Sequence, residues 1–305
     1  MDTFTSILVD VDATASAQPA VERAALIARR CGAPLRIVDV LSAPADARRS
    51  LPADLEDELM TRRRQQLARI AYSVRDVTVD TDVLSGRPAD ALIADVQRHG
   101  HDLVVRAHTR DLVARGPKPL VAVDSELFRR CPCPVWAVGP GAAPPTPRIA
   151  CAVDTSTQDP VKRALNVKVV ELGLLLTRLQ EGALVLLHAW RPVGEEQVFS
   201  HATDVAFAAH LDDTRNRAKH DLARFAESFM NRLAGVRLEL RRGSAEDVVG
   251  EFVVAEGIDL VVMGTGARTG LTRRLVGDTA DRVLQRVPCS VLAVKPDRIA
   301  DDSRE

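Results

Sequence analysis

Gly86-Arg-Pro-Ala-Asp90, followed by His101-Asp-Leu-Val-Val105, returns as Gly243-Ser-Ala-Glu-Asp247, followed by Ile258-Asp-Leu-Val-Val262, at a constant offset of 157 residues. A repeat this long organises a whole chain. Working outward, Pro132-Cys-Pro-Val-Trp-Ala-Val138 answers Pro288-Cys-Ser-Val-Leu-Ala-Val294, and Ile7-Leu-Val-Asp-Val-Asp12 answers Ile149-Ala-Cys-Ala-Val-Asp154. Three matched blocks in the same order make the chain a duplication.

The seam falls in Gly139-Pro-Gly-Ala-Ala-Pro-Pro-Thr-Pro147, whose prolines and glycines continue neither a helix nor a central strand. The expected domains are residues 1–140 and 148–297, with a charged tail over 298–305. A chain of 305 residues suits two such cores. Within each half, short β-branched runs alternate with longer periodic segments, the signature of βαβ units. Strands are expected near 6–11, 35–40, 76–83, 102–106 and 134–138, and again near 148–153, 183–189, 236–241, 259–263 and 290–294. The second half's helices are expected near 160–179, 203–233, 245–256 and 278–286. Near-continuous apolar strands suit a sheet covered on both faces. The fold class is therefore α/β: two tandem doubly wound domains, each on a five-stranded parallel sheet.

Bulk properties exclude several classes. Acidic and basic residues nearly cancel, 42 against 41, so no overall field draws the chain to nucleic acid or to an anionic membrane. The longest apolar runs fall far short of the ~20 residues that span a bilayer, and no signal-peptide pattern opens the chain, so a cytoplasmic location is expected. The five cysteines read as free, mostly buried thiols. Cys131-Pro-Cys133 lacks the two-residue spacer of redox or zinc pairs, and no metal site is expected.

In a doubly wound sheet, ligands bind beyond the carboxyl ends of the strands where strand order reverses. That directs attention to Asp154, after the first strand of the second half, and to the loop Met263-Gly-Thr-Gly-Ala-Arg-Thr-Gly-Leu through Gly277-Asp-Thr-Ala280. Glycines there let backbone N–H groups approach a phosphate, and a helix beginning near Asp278 offers its positive end to the same anion. The spacing is neither a Walker loop nor a dinucleotide fingerprint. No Ser-His-Asp or Cys-His set and no acid pair is placed for catalysis, so an enzyme is not the favoured reading.

The run from Asp259 through Gly277, with Val287-Pro-Cys-Ser-Val-Leu-Ala-Val-Lys-Pro296, resembles the C-terminal signature of the universal stress protein family, and the duplicated layout is similar to its tandem, E-type members. The resemblance implies a Rossmann-like fold and a stress-response binding protein with a small-ligand, adenine nucleotide-like pocket, as for ATP, in the second domain. The pocket would be lined by Ala152, Asp154, Met263, Gly264, Ala267, Gly277, Asp278 and Thr279. ATP-binding members read Gly, two residues, Gly, nine residues, Gly, then Ser or Thr. Here these positions are Gly264, Ala267, Gly277 and Asp278, so two depart. A Cβ at Ala267 crowds a phosphate approach. Asp278 puts a carboxylate where a hydroxyl would donate, weakening ATP about tenfold or more, although it also serves as a helix N-cap. Gly266 and Thr279 could compensate, and Arg268, Arg273 and Arg274 could offset charge if turned inward. Asp154 reads equally as a nucleoside contact or as an Asx-turn.

In the first half the equivalent loop runs from Val105 to Ser125 without a glycine cradle, so a structural role and no nucleotide are expected there. The resemblance further implies an intramolecular pseudo-dimer through the last strands, Val135 to Val138 beside Val291 to Val294, with a further homodimer left open. Arg62-Arg63-Arg64 reads as a solvated helix face. His188 reads as a core-edge histidine near the mouth. Rival readings are a weak ATPase, a ligand-free protein-interaction module, and a pocket for a less anionic or lipid-like molecule.

Overall fold

A computed structural model of the chain describes residues 3–42, 53–107, 119–139, 141, 144–192, 204–229, 232, 235–265, 282–283 and 286–296. The chain forms two compact units, Met1–Pro145 with Pro288–Lys295, and Thr146–Val287 with Pro296–Glu305.

The first unit runs β1 (Ile7–Val11), α1 (Pro19–Cys31), β2 (Leu35–Leu41), α2 (Ala53–Ser73), β3 (Val79–Ser85), α3 (Pro88–His99), β4 (Leu103–Ala107), α4 (Pro119–Arg130) and β5 (Val135–Val138). The second runs β6 (Arg148–Ala152), α5 (Pro160–Gln180), β7 (Ala183–Trp190), α6 (Asp204–Glu227), β8 (Arg237–Arg242), α7 (Ala245–Glu256) and β9 (Leu260–Gly264). The final strand, β10 (Ser290–Val294), belongs to the first unit.

In the first unit the strand order is β3-β2-β1-β4-β5-β10, and in the second β9-β6-β7-β8. The pairs β1 with β2 and β4, β2 with β3, and β4 with β5 are parallel, as are β6 with β7 and β9, and β7 with β8. The sheets are thus mostly parallel. The exception is β10, which lies antiparallel to β5 with Val291 opposite Ala137 and Leu292 opposite Trp136. These are the strands, Val135 to Val138 and Val291 to Val294, that the family resemblance names. All the paired residues named are buried, which spares β5 an exposed edge.

Helix boundaries follow the local chemistry. Pro160 opens α5 behind Asp159, whose side chain accepts from the Val161 N–H, and Ser244 caps α7 by accepting from the Asp247 N–H. Gly86 and Gly243, the first residues of the repeated block, have φ of 130° and 146° as the chain turns from β3 into α3 and from β8 into α7. Residues bearing a side chain rarely adopt that backbone, which is why both copies carry glycine. In each unit the sheet supplies the core, with Leu8, Val9, Val104, Val105 and Trp136 buried in the first and Cys151, Leu186, Val261 and Val262 in the second. The order of strands reverses between β1 and β4, and between β6 and β9, so each unit has a switch point beyond the carboxyl ends of those strands. Among the described residues no helix is long and apolar enough to cross a membrane.

Candidate functional site

At the second unit's switch point, Ala152 on β6 stands in register with Met263 on β9. Asp154 follows two residues after Ala152 and is exposed. Its backbone is clamped by Asn166 of α5: the Asp154 N–H donates to Asn166 Oδ1 at 3.2 Å, and Asn166 Nδ2 donates to the Asp154 carbonyl at 2.6 Å. The Ser156 hydroxyl donates to Asp154 Oδ1 at 2.7 Å. The carboxylate is therefore held at the mouth by its neighbours. Ala152, Asp154, Met263 and Gly264 are brought together, whereas Ala267, Gly277, Asp278 and Thr279 lie outside the described residues, as do Gly266, Arg268, Arg273 and Arg274.

Gly264 has a packing reason to lack a side chain. A Cβ there would meet Leu165 Cδ2 at 2.6 Å, so the end of β9 and the first turns of α5 approach too closely for one. His188 is buried, its Nδ1 2.9 Å from the Val153 carbonyl, and its Nε2 finds no hydrogen-bond partner among the described residues. A cavity of about 490 Å³ opens beside the Asp154 segment, with Thr155, Arg163, Asn166 and Arg224 in its wall.

The first unit's switch point carries far more charge. Asp10 on β1 and Arg106 on β4 are register partners. Arg106 is only 4% exposed, with Nη2 3.6 Å from Asp10 Oδ2 and Nε 3.0 Å from Asp124 Oδ1. Beside them, Arg63 on α2 places Nη1 3.0 Å from Asp39 Oδ2 and 3.3 Å from Asp12 Oδ1. Arg63 thus turns inward, correcting its reading as part of a solvated face: the buried Asp39 offers a partner that solvent-side i,i+4 acids do not. Asp12 forms an Asx-turn, accepting from the Thr14 N–H at 2.9 Å and from its hydroxyl.

Electrostatics follow from burial and sign. Burial pushes Asp10 up to about 6 against the pull of Arg106, and Asp39, Asp124 and Asp12 add like-charge repulsion. Burial also raises Asp39, with Arg63 opposing and Asp12 reinforcing. Asp12 ends below the ordinary range, because the Thr14 hydrogen bonds and Arg63 together outweigh its partial burial. These groups border a cavity of about 640 Å³ that reaches from Asp10 and Arg106 to Asp39, Gln18 and Val138. The sequence reading missed this site because it sought glycines. The available signal was a charge in the carboxyl-terminal half of three strands: Asp10 in Ile-Leu-Val-Asp-Val, Asp39 in Leu-Arg-Ile-Val-Asp-Val-Leu and Arg106 in Leu-Val-Val-Arg-Ala.

His99 and His101 bind into a structural network. His101 Nδ1 lies 2.7 Å from Ser6 Oγ, and both rings face the buried Asp95, which also accepts from Arg36 Nε at 3.0 Å. Among the described residues no group of three or more His, Cys, Asp or Glu is placed to hold a metal ion.

Comparison with known proteins accords with this architecture. The model of the universal stress protein family matches residues 3–139 and 146–295. Universal stress protein E of Photorhabdus laumondii is 25% identical over 97% of this chain and 96% of its own, and that of Escherichia coli K12 is 26% identical over 98% and 96%. Among solved structures, a functionally unknown protein from Pseudomonas aeruginosa PAO1 has a TM-score of 0.68 at 23% identity, covering 97% of this chain and 94% of its own. A universal stress protein from Archaeoglobus fulgidus has a TM-score of 0.66 at 15% identity, covering 95% and 96%. With a family match over both halves, the chain belongs to the universal stress protein family.

Proposed function

We propose that the chain is a cytoplasmic stress-response binding protein whose second unit takes a small, adenine nucleotide-like ligand at Ala152, Asp154, Met263 and Gly264, completed by Ala267, Gly277, Asp278 and Thr279. The observation that carries this reading is Asp154, exposed beyond β6 at the point where strand order reverses and pinned there by Asn166 and Ser156. An anchored carboxylate at a switch point is suited to accept hydrogen bonds from a ribose or a base. The stress-response role is drawn from the full-length relatives named universal stress protein E.

The test is native mass spectrometry of protein purified without added nucleotide, followed by ATP titration read by thermal shift in the wild type, Asp154→Ala and Asp278→Ser. A melting shift in the wild type that Asp154→Ala abolishes and Asp278→Ser enlarges is expected. A wild type and an Asp278→Ser variant that both ignore millimolar ATP would sink the nucleotide reading and leave a protein partner or a less anionic ligand.

A further inference from the structure

We infer that the first unit carries a ligand site of its own, in which Asp10, Asp12, Asp39, Arg63 and Arg106 receive a small organic cation that also bears an uncharged oxygen, as an amino sugar or amino alcohol does. The site is separate from Asp154 and stands whether or not the second unit binds nucleotide.

Charge decides the sign of the ligand. Among the described residues bordering the cavity, three carboxylates, Asp10, Asp12 and Asp39, face two guanidinium groups, Arg63 and Arg106, and the Arg106 charge is shared with Asp124. An anion brought among them meets like charges at close range in a partly desolvated setting, where repulsion is several times stronger than in water. An ammonium group meets the reverse. Burial is the main cause of the upward shifts of Asp10 and Asp39, and the neighbouring carboxylates add to them.

Arg106 decides the second feature. It borders the cavity, its side chain is only 5% exposed, and its Nη1 is buried without a hydrogen-bond partner among the described residues. A buried guanidinium N–H left unpaired is costly, and a ligand oxygen would relieve it. An uncharged hydroxyl or carbonyl does so without bringing a second anion beside Asp10 and Asp124. The cavity, at about 640 Å³, is in the range that holds small molecules, and Val11, Pro19 and Val40 give it an apolar wall. In the second unit the register partners corresponding to Asp10 and Arg106 are Ala152 and Met263, so the two switch points differ in chemistry.

The test is isothermal titration of the full chain with three probes on one skeleton: glucosamine, glucose and glucose 6-phosphate, with ethanolamine as a smaller cation. Glucosamine should bind best and glucose 6-phosphate worst. Asp39→Asn should weaken glucosamine about tenfold or more, and Asp12→Asn, at an exposed position that folding tolerates, should weaken it in the same direction. Asp154→Ala should leave it unchanged. The inference is overturned if glucose 6-phosphate binds as tightly as glucosamine, or if neither glucosamine nor ethanolamine gives heat up to about 10 mM. It is equally overturned if Asp12→Asn is silent while Asp154→Ala abolishes binding.

Discussion

Asp10 and Arg106 sit opposite each other on β1 and β4, Oδ2 3.6 Å from Nη2, at the register held by Ala152 and Met263 in the second unit. The pair is buried, and one guanidinium is shared by two carboxylates, so Asp10 holds its proton up to a pH of about 6 against an ordinary 3.8. Because the folded value lies above the unfolded one, the folded state binds the proton more tightly. The stabilisation this gives is present in full below about 3.8 and is lost as pH rises through about 6.

Asp10→Asn should therefore change stability in a pH-dependent way. Relative to wild type, the variant should gain progressively between pH about 4 and 6.5, by about 3 kcal/mol across the window. Urea denaturation at a series of pH values measures it. A difference between wild type and variant that stays flat across that window would show that Asp10 titrates normally.

His101 should act with the opposite sign. Burial depresses it below its ordinary 6.5, with Asp95 only partly opposing. A depressed histidine favours the folded state while neutral, so its contribution is present above about 6.5 and is lost as pH falls through the folded value. His101→Gln should flatten the acid-side loss of stability below pH 6.5, and NMR titration of the His101 ring should give a value below the ordinary 6.5. A ring that titrates above 6.5 would mean Asp95 dominates instead.

Much of this was legible in the sequence, for physical reasons. The repeat carries its own turn glycines, Gly86 and Gly243, and the alternation of β-branched runs with longer amphipathic segments placed the ten strands to within three residues at each end. The charged site of the first unit was not legible in the same way. Asp10, Asp39, Arg63 and Arg106 are scattered over nearly a hundred residues; the parallel register of β2, β1 and β4 aligns the three strand residues, and the packing of α2 brings Arg63 to Asp39. Asp154 was legible from its place after β6, but its clamp by Asn166 depends on the first turns of α5 folding back over the strand.

Gly264 illustrates how one residue can satisfy two readings. The family resemblance makes it a phosphate contact, whereas the geometry gives it a packing role against Leu165. Gly264→Ala should cost about 1 to 3 kcal/mol in urea denaturation, the usual range for overpacking. The clash is with the end of a flexible side chain, so Leu165→Ala in the same chain should recover part of that loss. If the double variant is no more stable than the additive sum of the singles, the glycine is needed for something other than Leu165.

The thiols offer a last test, because charge and access point in different directions. Cys131 and Cys133 bring their sulfurs within 3.6 Å. The Cys133 S–H bond stabilises a Cys131 thiolate and lowers Cys131, while the same contact raises Cys133. Acidity alone would make Cys131 the reactive residue. It is nevertheless fully buried, as is Cys151, whose thiol burial pushes up, and only Cys31 and Cys289 are partly exposed. Alkylation requires the reagent to reach sulfur, so access should win. Iodoacetamide at neutral pH should add two adducts to the native chain, at Cys31 and Cys289, and five after unfolding, read by intact mass and peptide mapping. Rapid native labelling of Cys131 would show that the segment joining α4 to β5 opens readily, and that its lowered thiol is available to chemistry.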